Sequence, residues 1–207
     1  MVRNFLAALL VAGAATPLAA APLGVRVVDA SGRPVAGAVV RLYPAGNAAR
    51  APHSGGRFVI SQQNLQFRPF LTIVPVGADV SFPNLDPTKH HVYSFSAAKK
   101  FELKLFAKDQ SRTVHFDKPG VVALGCNIHD QMSAFIVVTD SFWTARTDAQ
   151  GVARFGDAPN APGRLTVWHP YLRAPGNEME QKVAPTQRGA SFQVRLRVPP
   201  PMPMQDY

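Results

Sequence analysis

The chain has 207 residues, of which 46% are hydrophobic, so it can bury a sizeable core in one large or two small domains. Charged residues make up only 17%, Pro (19) and Gly (15) are frequent, and no long window keeps a helical period, which excludes a helical bundle and points to an all-β chain rich in turns. The formal charge is +9, but Arg26, Arg33, Arg41, Lys99, Lys100, Lys104, Arg195 and Arg197 are scattered and not interleaved with aromatics on one element. That pattern argues against a nucleic-acid partner and for an acidic protein or an anionic envelope surface.

Residues 1–20 carry Arg3, an apolar run from Phe5 to Ala15 and small residues at the end, the pattern of a cleaved secretory signal peptide. The run is too short to span a bilayer, so the sequence predicts export, to the periplasm or beyond, with no transmembrane segment. Cleavage after Ala20 removes Arg3 and lowers the formal charge to +8. Leu23 to Pro44 alternates apolar and polar residues around the turn DASGRP and predicts two or three short antiparallel strands. Ala45 to Gly56 reads as a connection. GRFVIS and FLTIVPVGADVSF follow as strands, with Pro69 and Pro75 marking edges or bulges. HHVYSFS, KKFELKLF, Thr113 to Phe116, Val121 to Leu124 and AFIVVT continue the β pattern. After Asp140, TARTDAQGVARF predicts two strands around a DAQG turn, GRLTVWHPYL another and SFQVRLRV the last, while the Pro-rich tail 199–207 is expected to be disordered.

The chain has one cysteine, Cys126, in GCNIHDQMSAFIVV. In an exported protein it has no partner for an internal disulfide, and an exposed thiol would be oxidised, so burial, an intermolecular bridge or a metal must account for it. Cys126, His129 and Met132 follow at intervals of three between two predicted strands. A thiolate, an imidazole and a thioether on one tight loop suit a copper ion that cycles between Cu(I) and Cu(II), once a second imidazole is added. His90 and His91 open the strand HHVYSFS, and alternation lets only one of them face the site.

At these residues the chain resembles the cupredoxins, the small blue copper proteins. FRPFLTIVPVGADVSFPNLDPTKHHVYSFS is similar to the stretch leading to that family's first ligand histidine, and FDKPGVVALGCNIHDQM to its ligand loop, in the short amicyanin-like spacing. The resemblance selects His90 as the ligand and puts His91 where the family has Asn. It departs from the family at Gly125, where an aromatic often precedes the cysteine, and in lacking a proline between Cys126 and His129. It implies a Greek-key β-sandwich over residues 58–139 with one copper held by His90, Cys126, His129 and Met132. His91, Asn84 and Asn127 would brace the ligands, and Pro83, Leu85 and Ile128 would form an apolar patch around His129 through which electrons pass. Tyr93 and Phe95 are expected in its core.

DASGRPVAGAVVRLYP and TARTDAQGVARFGDAPNAPGRLTVWHPYL resemble parts of carboxypeptidase regulatory-like, transthyretin-like β-sandwiches. Neither fragment has enough strands to bury a core alone, so residues 22–50 and 140–198 are expected to form one discontinuous sandwich, with the first domain inserted in it or packed against it. Trp168 and Trp143 are expected in or beside that second core, with Trp143 at the junction. Chains joining two such domains resemble those labelled methylamine-utilisation proteins. The implied function is single-electron transfer between redox proteins. Two other readings are a copper-binding or delivery module without redox turnover, and a metal-free envelope interaction protein. An enzyme is not expected, because protein side chains fill all four metal positions.

Overall fold

A computed structural model of the chain describes residues 21–46 and 56–198; the expected leader, His53 and the Pro-rich tail lie outside the described residues. The described residues form strands and turns. In chain order the strands are β1 (Ala21–Asp29), β2 (Val39–Pro44), β3 (Phe58–Val59), β4 (Ser61–Gln63), β5 (Gln66–Arg68) and β6 (Leu71–Pro75). They continue as β7 (Ala78–Pro83), β8 (His90–Ser96), β9 (Lys99–Phe106), β10 (Ser111–Phe116), β11 (Gly120–Cys126) and β12 (Ser133–Thr139). The last are β13 (Trp143–Arg146), β14 (Val152–Ala158), β15 (Gly163–Trp168), β16 (Glu178–Val183) and β17 (Gly189–Val194). Among the described residues no helix is long and apolar enough to cross a membrane.

The period-2 pattern of the strands decides how these elements layer. Sheets β14-β1-β17 and β13-β2-β15-β16 bury Val25, Val27, Val40, Leu42, Phe155, Leu165, Val167 and Phe192 in one core. Sheets β6-β12-β11-β8-β9 and β10-β7-β3 bury Val80, Phe82, Val92, Phe116, Val122 and Ile136 in another. The inner sheets of the two pairs then meet. On β2 and β15, Val39 and Trp168 point away from the first core and pack with Leu71 and Val137, flanked by Phe135, Phe70, Ile73 and Val121. The Phe135 and Trp168 ring centroids lie 5.5 Å apart in an edge-on contact. Four sheets are thus stacked with three apolar layers between them, and β2, β15 and β12 are buried on both faces.

Arg41 lies in this middle region with 6% of its surface exposed, and a buried guanidinium must be paired. It donates to Thr166 Oγ1 at 3.2 Å and to the Glu178 carboxylate. Glu178 sits on β16, a strand whose mostly polar sequence EMEQKV hides it from an alternation reading.

Several local expectations are corrected. Leu23 to Pro44 and TARTDAQGVARF each give two strands around the expected turn, but the two strands of each pair join different sheets. β1 pairs antiparallel with β14 and parallel with β17, whereas β2 pairs with β13 and β15. The consecutive strands β1/β2 and β13/β14 therefore cross between sheets, which sets their apolar faces against each other across a core instead of leaving them on one open surface. At the DAQG turn Gly151 has φ 72°, and a Cβ there would stand 2.5 Å from the Val27 carbonyl oxygen, so the crossing needs glycine. Trp143, expected at the junction, belongs to the first core, while Trp168, expected in or beside that core, packs beside it in the junction layer. Tyr93 and Phe95 are not core residues. Val92 and Ser94 face inward, so alternation turns Tyr93 and Phe95 outward, and Phe95 is 78% exposed.

Trp168→Ala is expected to lower stability by about 3–5 kcal/mol, the usual cost of removing a fully buried large aromatic side chain, as read from denaturant unfolding.

Candidate metal centre

Two loops at one end of the second sheet pair build the site. The first joins β7 to β8. Its anchor is Asn84, fully buried, whose side-chain NH2 donates to the carbonyls of Thr88 (2.8 Å) and Phe106 (3.1 Å) and whose Oδ1 accepts the Asp86 N–H at 2.9 Å. With these bonds made, the loop's turn is set and His90 enters β8 facing inward, with no exposed surface. The second loop leaves β11 at Cys126 and returns at β12. It is closed by the Met132 N–H donating to the His129 carbonyl at 2.9 Å.

Pairing of β11 with β8 brings the loops together, with Gly125 opposite Tyr93 and Cys126 opposite Val92. Beyond the last pair, the Asn127 N–H donates to the His91 carbonyl at 3.2 Å, so the loops are tied main chain to main chain. Cys126 Sγ lies 3.7 Å from His90 Nδ1 and 3.6 Å from His129 Nδ1, and all three candidate ligand atoms fall within 4.8 Å of one another. A nitrogen and a sulfur bound at roughly 2.0–2.3 Å to one ion, about 110–120° apart, are separated by roughly 3.6–3.7 Å, so these residues fit a metal. Met132, almost fully buried, shares the core with Cys126 and lines a cleft with His129.

The expected bracing residues act in different ways from one another. Asn84 works through its side chain. Asn127 works through its backbone, its side chain being exposed. His91 contributes its carbonyl to the loop tie and turns its ring to Glu102, with Nε2 3.0 Å from Oε1. The side-chain space an aromatic at position 125 would fill is taken by Tyr93: a Cβ on Gly125 would stand 2.6 Å from its Cζ.

The sequence reading missed Asp86. It is only 5% exposed, and one carboxylate oxygen lies 2.8 Å from His90 Nε2. The same carboxylate accepts the N–H groups of Asn64 (2.6 Å) and Leu65 (3.0 Å) at the β4–β5 turn. Burial pushes its pKa up, but the hydrogen bonds from His90, Leu65 and Asn64 outweigh this and hold it below the usual carboxylate range. Its position four residues before His90 was a visible signal, whereas the turn that grips it lies more than twenty residues away.

His129 is half-buried and borders a cleft of about 430 Å³ lined by Asn64, Leu65, Asp130, Gln131 and Met132. Leu65 (47%), Leu85 (45%) and Ile128 (45%) are exposed apolar side chains, and Pro83 is half-buried. Of the other histidines, His115 is exposed and pairs with Asp79 at 2.8 Å, and burial lowers the pKa of His169; neither belongs to the cluster.

No family model matches the chain, and no curated protein does. Solved structures are similar to part of it. A copper-containing nitrite reductase from Thermus scotoductus SA-01 aligns at 22% identity and TM-score 0.39, over 46% of this chain and 25% of that one. A Cu(I) form of an amicyanin mutant aligns at 19% identity and TM-score 0.38, over 48% of this chain and 98% of that one. A reduced amicyanin mutant gives 20% identity and TM-score 0.37, over 48% and 99%. The chain thus spans a quarter of the nitrite reductase and nearly all of the amicyanins.

Two substitutions probe the scaffold. Asn84→Ala removes the side-chain partner of two carbonyls and one N–H and is expected to cost about 1–3 kcal/mol in chemical unfolding. Gly125→Ala drives Tyr93 out of its place and is expected to cost about 1–3 kcal/mol, with a changed tyrosine signal in near-UV circular dichroism.

Proposed function

We propose that this chain is an exported mononuclear copper protein that carries single electrons between redox proteins. The observation that supports it is the cluster itself: a buried thiol with two imidazole Nδ1 atoms at 3.6 and 3.7 Å, beside a buried methionine. Two imidazoles, a thiolate and a weak thioether serve both oxidation states of copper without a change of shell. When bound, copper supplies a one-electron Cu(I)/Cu(II) couple.

The protein's part is to hold the donors in place and control access. His90 and Cys126 are closed off, while His129 reaches the edge of the cleft and is the ligand from which an electron leaves. Leu85, Ile128 and Leu65, with Pro83, form the apolar surface around that exit. A small patch of this kind suits the weak docking a carrier needs in order to depart. The chain's positive charge favours acidic partners, through steering that added salt weakens. Residues 58–139 are the copper-binding unit in this reading, and residues 22–50 with 140–198 a regulatory-like sandwich that mounts it on a partner.

The mature protein with one equivalent of Cu(II) is expected to show an intense thiolate-to-copper charge-transfer band in the visible spectrum. Cys126→Ser should abolish the band, and His129→Ala should shift or weaken it. A colourless protein with weak copper affinity would overturn the reading. A coloured protein that yields its copper readily to a chelator and exchanges electrons slowly would replace transfer with delivery.

A further inference from the structure

The function proposed above uses four side chains, yet the Asp86 carboxylate beside them is bonded as fully as the Asn84 amide. Its acceptor sites are filled from three directions. The Asn64 N–H reaches Oδ1 at 2.6 Å, the Leu65 N–H reaches Oδ2 at 3.0 Å, and His90 Nε2 lies 2.8 Å from that same Oδ2. The Asp86 N–H is itself held by Asn84 Oδ1 at 2.9 Å. Neither the carboxylate nor the segment bearing it is free to turn.

The turn that supplies two of these donors is unusual in its own right. Asn64 and Leu65 both have φ 55°, a left-handed conformation that asparagine tolerates and leucine rarely adopts. Two successive residues in that region aim consecutive N–H groups to one side, and here they converge on one carboxylate. The β4–β5 pair is a separate two-stranded sheet, inserted ahead of β6, that delivers this tip to the metal-binding end of the core. His90 has no exposed surface, so bulk solvent does not reach its Nε2.

We propose that Asp86 is a positioning residue of the metal centre: it holds His90 as the Nε2–H tautomer with Nδ1 aimed at Cys126, and it places a fixed negative charge behind that ring. This rests on the copper reading above. A ligand imidazole that donates its far N–H to a carboxylate is fixed in orientation and becomes a stronger base toward a metal. The added negative charge, in surroundings that screen it poorly, favours the more positive oxidation state. Asp86 therefore lowers the reduction potential and raises Cu(II) affinity more than Cu(I) affinity.

Two variants separate the hydrogen bond from the charge. In Asp86→Asn the amide oxygen can take the place of Oδ2, retaining the bonds from His90 and the Leu65 N–H, while the charge and the acceptor for the Asn64 N–H are lost. Asp86→Ala removes both. In the metal-free protein, long-range 1H–15N NMR of the histidine rings is expected to show His90 as a single Nε2–H tautomer in the wild type and in Asp86→Asn, and as a mixture in Asp86→Ala. With copper, the potential measured by protein-film voltammetry is expected to rise in Asp86→Asn, and Cu(II) affinity to fall by about 10–100-fold in Asp86→Ala. An unchanged potential in Asp86→Asn overturns the electrostatic role, and an unchanged tautomer in Asp86→Ala overturns the positioning role. If Asp86→Ala does not fold, Asp86→Asn alone decides, since loss of its single tautomer or constancy of its potential refutes the assignment. The NMR result is independent of copper, so a wild type with no charge-transfer band would remove the copper reading while leaving the fixed His90 ring measured.

Discussion

Burial of single strands on both faces is the constraint on which the rest of this molecule depends. In β12, Ala134, Ile136 and Val138 enter the core that contains Cys126, while Phe135 and Val137 enter the layer against Trp168 and Val39. A strand with both faces covered has no freedom to slip its register, because a shift of one residue would exchange the two sets of side chains. β12 starts one residue after Met132, so the far end of the ligand loop is clamped by packing that extends into the neighbouring sandwich. β11, hydrogen-bonded alongside, fixes the near end at Cys126 in the same way.

Given two rigid strand ends, the loops need few further ties. One main-chain bond from Asn127 to His91 links them, and Asn84 sets the turn ahead of His90. Polar groups buried this close to the candidate ligands are stabilising only when fully bonded. Asn84 meets that condition within its own loop and at the Phe106 carbonyl of β9, and Asp86 meets it by drawing on a turn from a separate small sheet. The candidate donor atoms are therefore held close to one another by interactions within the protein alone.

Most strands were legible in the residues. KKFELKLF and HHVYSFS coincide with β9 and β8, and the alternation in AFIVVT anticipates β12, because a period of two with β-branched and aromatic residues is a local property. β16 was not, since EMEQKV offers little apolar contrast and is held in its sheet mainly by pairing with β15 and by the Arg41–Glu178 contact. Tyr93 and Phe95 misled for the opposite reason: large aromatics at strand spacing suggest a core, but the side on which they emerge is set by His90 facing inward. Trp143 and Trp168 were both recognisable as packed residues, and only the stacking order of the sheets determined which of them met the other core.

The grouping of Cys126, His129 and Met132 could be read directly, because three candidate ligands on one turn between two strands require no long-range information. His90 is 36 residues from Cys126 along the chain, and the β8–β11 pairing carries it there. The sequence by itself determined an all-β chain, the chemistry of the donor set and the loop that bears most of it, since these follow from residue type and short spacing. Only the tertiary structure decided which strands share a sheet and which aromatics cover which face. It also decided that His90, whose ring faces Cys126 of GCNIHDQM, should be held from behind by a carboxylate gripped by the Asn64–Leu65 turn, because contacts between distant segments depend on how whole sheets stack and leave no periodic trace in the chain.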